Sequence, residues 1–215
     1  MKFLVLDTSS SFCSVSLSVE NKIFSQTRFI PREHNKYLLP MIDEVIKEAN
    51  IDKKSIDFVA YGVGPGSFVG VRLAASVCQA FAVSLDIPVI GFSSMFAIAK
   101  STTTDNDKVA VILDAKMGDF YLGFYDKNKD KIVSEQVYKL DEYSPNMLDG
   151  YQTVGEKIAQ INFEPDIAEF NLDTKFLIDY IISEYYKQKK ENRLTHETYP
   201  VYLRGTSHWV KKEIK

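Results

Sequence analysis

The sequence predicts an α/β protein made of two lobes that are built alike, with the second lobe reduced. An apolar strand ends at Asp7 and is followed by a small polar turn and two further strands, and the same order recurs after residue 108 with Asp114 in the matching place. A glycine-rich loop at residues 62–70 stands between an apolar strand and a long apolar helix, which is typical of α/β units. The repeat lies in pattern rather than in identity, so a chance likeness is the alternative to a duplication.

A polar stretch at residues 102–107 separates the two copies of this pattern. We therefore expect a first lobe over residues 1–101 and a second, smaller lobe over residues 108–215. The C-terminal tail of the second lobe is expected to pack back on the first.

The composition favours a packed protein of the cytoplasm. The 215 residues are 45% hydrophobic and 13% aromatic, which suffices for a core. The net charge of −3 argues against strong unaided nucleic-acid binding. Cys13 and Cys78 fit no metal-ligand spacing and are interpreted as reduced thiols. We expect no membrane contact, because no apolar run reaches the roughly 18 residues of a spanning helix.

Two segments of the first lobe show clear periodicity. Cysteine, valine and leucine alternate with Ser14, Ser16 and Ser18, which predicts a strand with one solvent-exposed face. From residue 35 to residue 50 the apolar positions fall on one stripe of an amphipathic helix. That stripe contains Leu38, Met41, Ile42, Val45, Ile46 and Ala49.

The helix that ends near Leu85 is apolar on almost every side. Such a helix is buried on more than one side, and its small residues would let another helix approach closely. One side could pack on the sheet while the other meets a second helix or a second chain. The alternative is a central helix within its own domain.

The glycine-rich loop invites comparison with phosphate-binding loops. Its glycines suggest backbone positions that a Cβ would obstruct, Ser67 can cap the following helix, and Arg72 lies in the first turns of that helix. The loop could cradle a phosphate at the helix N-terminus. Its spacing matches neither of the two standard phosphate motifs, so a packed turn without a ligand is the favoured interpretation.

The remaining chemistry centres on two aspartates. Asp7 and Asp114 end the first strands of the two lobes, where ligands of α/β sheets gather, and with Thr8 and Ser9 they could hold a magnesium nucleotide. The alternative is that they are turn residues. His34 could act as a general base or as a hydrogen-bonding residue. We find no metal-ligand spacing and no self-sufficient catalytic set, so no catalytic residue is assigned.

Residues 62–72, GVGPGSFVGVR, resemble the signature YGxGPGSFTGxR of the TsaB (YeaZ-type) family. Further matches are LDTS at 6–9, PREH at 31–34, DAKMG at 114–118 and PVYLR at 200–204. The chain departs from the signature at Val69, where threonine is usual, so any hydroxyl contact there is lost. The matching signature residues are Gly62, Gly64, Pro65, Gly66, Ser67, Phe68, Gly70 and Arg72.

The resemblance implies an actin-like, sugar-kinase-like and Hsp70-like (ASKHA) fold. It implies a non-catalytic partner of the TsaD-type threonylcarbamoyltransferase, acting with a TsaE-type ATPase. Together they make N6-threonylcarbamoyladenosine beside the anticodon of tRNAs that read codons beginning with A. By this resemblance the chain alone has no activity, and tRNA is reached through the complex. We assign no cofactor to the chain itself, whereas ATP or ADP could bind at the partner interface and the chain could self-associate when the partner is absent.

The resemblance also implies that first-lobe helices dock on those of the TsaD-type subunit to form a heterodimer. The residues expected at this interface are Leu38, Met41, Ile42, Val45, Ala75, Gln79 and Ala82.

Two other functions remain open at this point. One is a phosphotransferase that uses Asp7 and Asp114 with Mg-ATP, although Ser9 and Ser10 stand where nucleotide-using relatives carry glycine. The other is a peptidase, because relatives have been labelled glycoproteases. No nucleophile or metal triad in the sequence supports the peptidase.

Overall fold

The structure, a computed structural model, describes residues 1–201. Its first part contains five strands and three helices. In chain order these are β1 (Lys2–Asp7), β2 (Phe12–Val19), β3 (Lys22–Phe29), α1 (His34–Ala49), β4 (Phe58–Gly62), α2 (Phe68–Leu85), β5 (Val89–Phe92) and α3 (Ser94–Ser101).

The second part contains four strands and one long helix. These are β6 (Lys108–Lys116), β7 (Asp119–Asp126), β8 (Lys131–Lys139), β9 (Gln152–Gly155) and α4 (Ile178–Lys190). A 3-10 turn at Thr174–Leu177 leads directly into α4. The predicted match at 200–204 and the predicted second lobe both run past residue 201, so their last residues lie outside the described part of the chain.

The two sheets share one strand order. The first sheet has the order β3-β2-β1-β4-β5 and the second has the order β8-β7-β6-β9. In each, the first three strands form an antiparallel meander, and the strand that opens the meander pairs in parallel with the next strand along the chain. The predicted duplicated ASKHA architecture is therefore confirmed. Within residues 1–201 the second copy is reduced, because its sheet has no counterpart of β5 there.

The first sheet is covered on both faces. Side chains alternate along β1, so Leu4 and Leu6 face α1 and α2 while Phe3 and Val5 face the opposite side. On that opposite side α3 and α4 fill the space between the first sheet and the second. Since α1 packs mainly on β2 and α2 mainly on β4, the two helices lie side by side on one face of the molecule.

The prediction of a solvent-exposed face on β2 is wrong. Ser14, Ser16 and Ser18 are buried, and the 3-10 turn that precedes α4 packs against β2 over the first two. Ser16 Oγ lies 2.7 Å from the hydroxyl of Thr174, and Ser14 Oγ accepts the Thr174 N–H at 2.9 Å. Hydroxyl groups can be buried when they have hydrogen-bond partners. The alternation of serine with apolar residues therefore reflects a polar layer between two packed elements rather than a face exposed to solvent.

Candidate functional site: the signature loop and the outer side of α2

The signature loop, residues 62–72, carries the chain from the end of β4 into α2. Ser67 caps the helix as the sequence predicts, because its Oγ accepts the Gly70 N–H at 3.3 Å. The Arg72 guanidinium carbon lies 3.2 Å from the centre of the Phe68 ring, and its Nη1 donates to the Phe68 carbonyl oxygen at 2.9 Å. The first turn of α2 is therefore stabilised both by the Ser67 cap and by the contacts of Arg72 with Phe68.

Two glycines of the loop are required by close approach of the β1–β2 turn. A Cβ at Gly62 would overlap Oδ2 of Asp7, and a Cβ at Gly70 would overlap the carbonyl oxygen of Thr8. The expectation that a Cβ would obstruct several loop positions is confirmed at both. The group that approaches is the chain's own turn, in agreement with the interpretation of a packed turn.

Asp7 is completely buried, and both of its carboxylate oxygens have partners. Oδ1 accepts the backbone N–H and the hydroxyl of Ser9, each at 2.7 Å. Oδ2 accepts the hydroxyl of Ser94 at 2.7 Å. Burial raises the pKa of Asp7 above its usual value, while these hydrogen bonds oppose the rise.

Asp114 is half-buried and is paired locally. Its Oδ2 forms an ion pair with Lys116 Nζ at 2.6 Å, and its Oδ1 accepts the Lys116 N–H at 2.7 Å. Its own N–H donates to Oε2 of Glu156. Burial pushes the pKa of Asp114 upward, but the hydrogen bonds and charge of Lys116 outweigh burial, so the pKa lies below its usual value.

These contacts do not fit a magnesium nucleotide at Asp7. Mg²⁺ needs accessible carboxylate oxygens, and those of Asp7 are enclosed by Ser9, Ser94 and the backbone of Gly62. The backbone oxygen of Ser9 and the hydroxyl of Thr8 are engaged with the loop as well. The interpretation of Asp7, Thr8 and Ser9 as nucleotide ligands is wrong, and the phosphotransferase loses its central residue. Within residues 1–201 no group of three or more His, Cys, Asp or Glu side chains could hold a metal ion.

His34 is a structural residue at the start of α1. Its ring is buried, and Nε2 lies 3.1 Å from the carbonyl oxygen of Phe12 on β2. Of its two predicted roles, the structure supports the hydrogen-bonding one.

Six of the seven residues expected at the partner interface are buried inside this chain, so their assignment to the surface is wrong. The stripe of α1 faces β2. The small residues Ala75 and Ala82 of α2 face the core at β4 rather than a second chain, because small side chains let the helix lie close to its own sheet. The six buried residues are Leu38, Met41, Ile42, Val45, Ala75 and Ala82.

The opposite side of α2 is largely apolar and mostly exposed, although Leu73 on this side still packs partly against the core. Val69 is 74% exposed and Val83 is 72% exposed, and the positions between them that share this side follow helical spacing. We name this surface the outer face of α2 and define it by Val69, Leu73, Ser76, Ala80 and Val83. The sequence did not single out these residues, because α2 is apolar on both sides.

Two further apolar side chains of α1 and α2 are exposed. Phe68 at the start of α2 and Leu39 on α1 are both exposed. Among the described residues, α2 is the one helix whose length and composition alone would suit a membrane span. In this structure the apolar composition of α2 has another explanation. One side of the helix is buried in the core, and the other side is apolar but lies at the surface.

The last described residues pack against α2 and the signature loop. We name residues 195–201 the C-terminal strap. Its Tyr199 N–H donates to the hydroxyl of Tyr61 at 2.7 Å, and its Val201 N–H donates to the Val63 carbonyl oxygen at 2.9 Å. Gln79, the seventh expected interface residue, is half-buried and holds the strap instead, since its Nε2 donates to the His196 carbonyl oxygen at 2.7 Å.

Comparison with known proteins shows similarity along nearly the whole chain. Residues 19–181 match the family model described as "TsaD: tRNA N6-adenosine threonylcarbamoyltransferase". The chain is 30% identical to "tRNA threonylcarbamoyladenosine biosynthesis protein TsaB" of Haemophilus influenzae, over 98% of this chain and 97% of the relative. It is 32% identical to the protein of the same name from Escherichia coli K12, over 61% of this chain and 58% of the relative.

A solved structure described as "YeaZ from Pseudomonas aeruginosa" superposes on this chain with a TM-score of 0.77 at 28% identity. The superposition covers 94% of this chain and 99% of the other. The likeness therefore includes both sheets and the helices that pack on them.

Proposed function

The chain belongs to the TsaB (YeaZ-type) family, and from that premise we propose that it is the non-catalytic partner of a TsaD-type threonylcarbamoyltransferase. In this role it supports formation of N6-threonylcarbamoyladenosine beside the anticodon of tRNAs that read codons beginning with A. It acts through a heterodimer whose contact on this side is the outer face of α2. The chain itself supplies no reacting group.

One observation carries this proposal: α2 is apolar on both sides, and the outer side has no cover within the described chain. A row of apolar side chains at helical spacing suits a second helix that lies along it. Ala80 and Ser76 at its centre are small, so a partner helix can approach closely. Leu39 on the neighbouring helix α1 is also exposed.

The remaining partners follow from the family. A TsaE-type ATPase and tRNA join through the heterodimer, and the chain pairs with itself through the same face when the TsaD-type subunit is absent. ATP or ADP binds at the interface in this proposal. An open cavity of about 370 Å³ lies between α2 and the C-terminal strap, beside the outer face. The cavity is lined by Arg72, Ala75, Ser76, Gln79, Thr198 and Pro200.

The place of action in this proposal is the cytoplasm, where tRNA is modified. The buried, unpaired thiols of Cys13 and Cys78 accord with a reducing compartment.

The test mixes the protein with the TsaD-type protein of the same genome and measures the mass of the product by light scattering after gel filtration. We expect a one-to-one complex. Val83→Arg should weaken it by at least about a hundredfold in Kd, because the interface would bury an unpaired charge. Val133→Arg is the matched control, since Val133 is also exposed (50%) but lies on β8 in the other sheet.

The proposal fails if Val83→Arg folds and binds like the wild type, or if Val133→Arg weakens the complex equally. The mass of the protein alone is measured in the same series. A homodimer that Val83→Arg converts to a monomer would show that self-association uses the same face.

A further inference from the structure

We propose that Asp7 is a positioning residue: with the rest of the turn at residues 7–9 it fixes the start of α2, and so the orientation of the outer face toward the catalytic subunit. The inference rests on the proposed function, because it concerns how the same face is held. It gives this turn a task that differs from nucleotide binding.

The turn lies where ligands of α/β sheets are usually found, at the carboxyl end of β1 and beside the parallel strand β4. In this chain the loop that follows β4 covers the carboxyl end of β1. Ser67 N–H donates to the Ser9 carbonyl oxygen at 2.6 Å, so the loop and the turn are in direct contact. The turn therefore faces the chain's own loop instead of solvent.

The first arm of the contact runs from Asp7 through Ser94 to the loop. The Ser94 hydroxyl donates to Asp7 Oδ2 at 2.7 Å and accepts the Gly64 N–H at 3.2 Å. The Ser94 N–H donates to the Gly64 carbonyl oxygen at 3.0 Å. The hydroxyl of Ser94 thus joins the buried carboxylate to the Gly64 N–H, and the Ser94 backbone N–H holds the Gly64 carbonyl oxygen. The direction of the hydroxyl is set by the carboxylate.

The second arm holds α2 itself. The Thr8 hydroxyl donates to the Gly70 carbonyl oxygen at 2.7 Å in a buried position. Gly70 lies in the first turn of α2, and Ser67, which contacts Ser9, is its cap. Two residues of the turn therefore hold two residues at the helix start, and Asp7 fixes the turn by accepting two hydrogen bonds from Ser9.

A carboxylate is the group that satisfies this arrangement. Asp7 receives three hydrogen bonds from donors, so both of its oxygens must accept. An asparagine has one oxygen and one NH₂ group. Its NH₂ would face either the donors of Ser9 or the donor of Ser94, and one arm would open.

The geometry of a long helix amplifies movement at its start. Val69 lies between the two gripped residues Ser67 and Gly70, whereas Val83 is 14 residues further on, or about 21 Å along the axis. A tilt of about 5° at the start would therefore move Val83 by about 2 Å. Such a displacement is enough to misalign a packed helix–helix contact.

The test compares Asp7→Asn with Leu122→Ala, which removes a buried side chain from the second sheet, far from the turn. Hydrogen exchange of the amides at residues 64–72 is measured in the free chain, and Kd is measured with the TsaD-type subunit. We expect Asp7→Asn to speed this exchange and to weaken binding by about tenfold, the size of one lost charge-assisted hydrogen bond. Leu122→Ala should lower the midpoint of unfolding but leave Kd within about twofold.

Wild-type-like exchange in Asp7→Asn overturns the inference, and so does a wild-type-like Kd. An equal loss of affinity in Leu122→Ala also overturns it, because the effect would then follow general stability. A wild-type chain that does not bind the TsaD-type subunit refutes the proposed function instead, and the exchange data still decide whether the turn holds the loop.

Thr8 provides a second variant in case Asp7→Asn fails to fold. Thr8→Val keeps the shape but removes the hydrogen bond to Gly70, whereas Thr8→Ser keeps the hydroxyl. We expect Thr8→Val to weaken binding several-fold and Thr8→Ser to restore it. Equal affinities of the two variants would overturn the inference.

Discussion

Gln79 accepts two hydrogen bonds from Thr198 through one oxygen: Oε1 receives the backbone N–H at 2.9 Å and the hydroxyl at 3.2 Å. Residue 79 is in the middle of α2 and residue 198 is in the C-terminal strap. A single amide side chain therefore joins the helix that carries the outer face to a segment 119 residues later.

Replacing Gln79 should release the strap. Gln79→Leu removes the acceptor for Thr198 and the donor for the His196 carbonyl oxygen, so amides of residues 198–201 should exchange with solvent faster. Gln136→Leu makes the same change at an exposed position on β8 and should leave them unchanged. Unchanged protection in Gln79→Leu would show that other contacts hold the strap.

Gly70→Ala should destabilise the protein although alanine is the better helix former. The propensity gain of about 1 kcal/mol is opposed by overlap of the new Cβ with the Thr8 carbonyl oxygen, which is backbone and cannot move aside. We expect a net loss of about 2 kcal/mol in the free energy of unfolding, measured in urea. Ser76→Ala, on the exposed side of the same helix, should change stability by less than about 0.5 kcal/mol. A stabilised Gly70→Ala protein would contradict this close approach.

Glu135 should make stability fall as the pH rises from acid toward neutral. Its carboxylate is enclosed between the lobes, where Oε1 accepts the Tyr125 hydroxyl at 2.6 Å and the hydroxyl of Ser93. Burial raises the pKa of Glu135 above its usual value, although these hydrogen bonds oppose the rise. Because the folded pKa exceeds the unfolded one, the stabilising contribution is complete below the unfolded value of 4.5 and is lost as the pH passes through the folded pKa.

Glu135→Gln isolates this effect, because glutamine keeps the acceptor oxygen but does not ionise. The free energy of unfolding of the variant, relative to the wild type, should increase with pH across that window. Glu48→Gln, at an exposed position on α1, is the control. A constant difference between Glu135→Gln and wild type at all pH values would refute the prediction.

The order of elements was predictable because local signals fixed it. Ser67 marks the start of α2, and Asp7 marks the end of β1. Asp114 lies near the end of the equivalent strand β6, which continues two residues further to Lys116. These signals depend only on neighbouring residues in the sequence. They can therefore be recognised without knowing the tertiary contacts.

The direction of the helix faces was not predictable in the same way. Ala75 and Val83 are both apolar, and the pattern gives the same period whether a side meets its own sheet or another chain. Only the contact of α2 with β4 decides that Ala75 faces inward and Val83 outward. Asp7 was misinterpreted for a related reason: an acidic residue at a strand end does not reveal that Ser94, 87 residues later, will enclose it.

The strap also changes what the first sheet offers to other molecules. β5 is the outermost strand on its side of the sheet, and such a strand can pair with an equivalent strand of a second molecule. Thr195 forms an antiparallel bridge with Val89, at the start of β5, and occupies the backbone N–H that a foreign strand would use. The segment that borders the proposed partner surface thus also blocks edge-to-edge pairing of the sheet at this position.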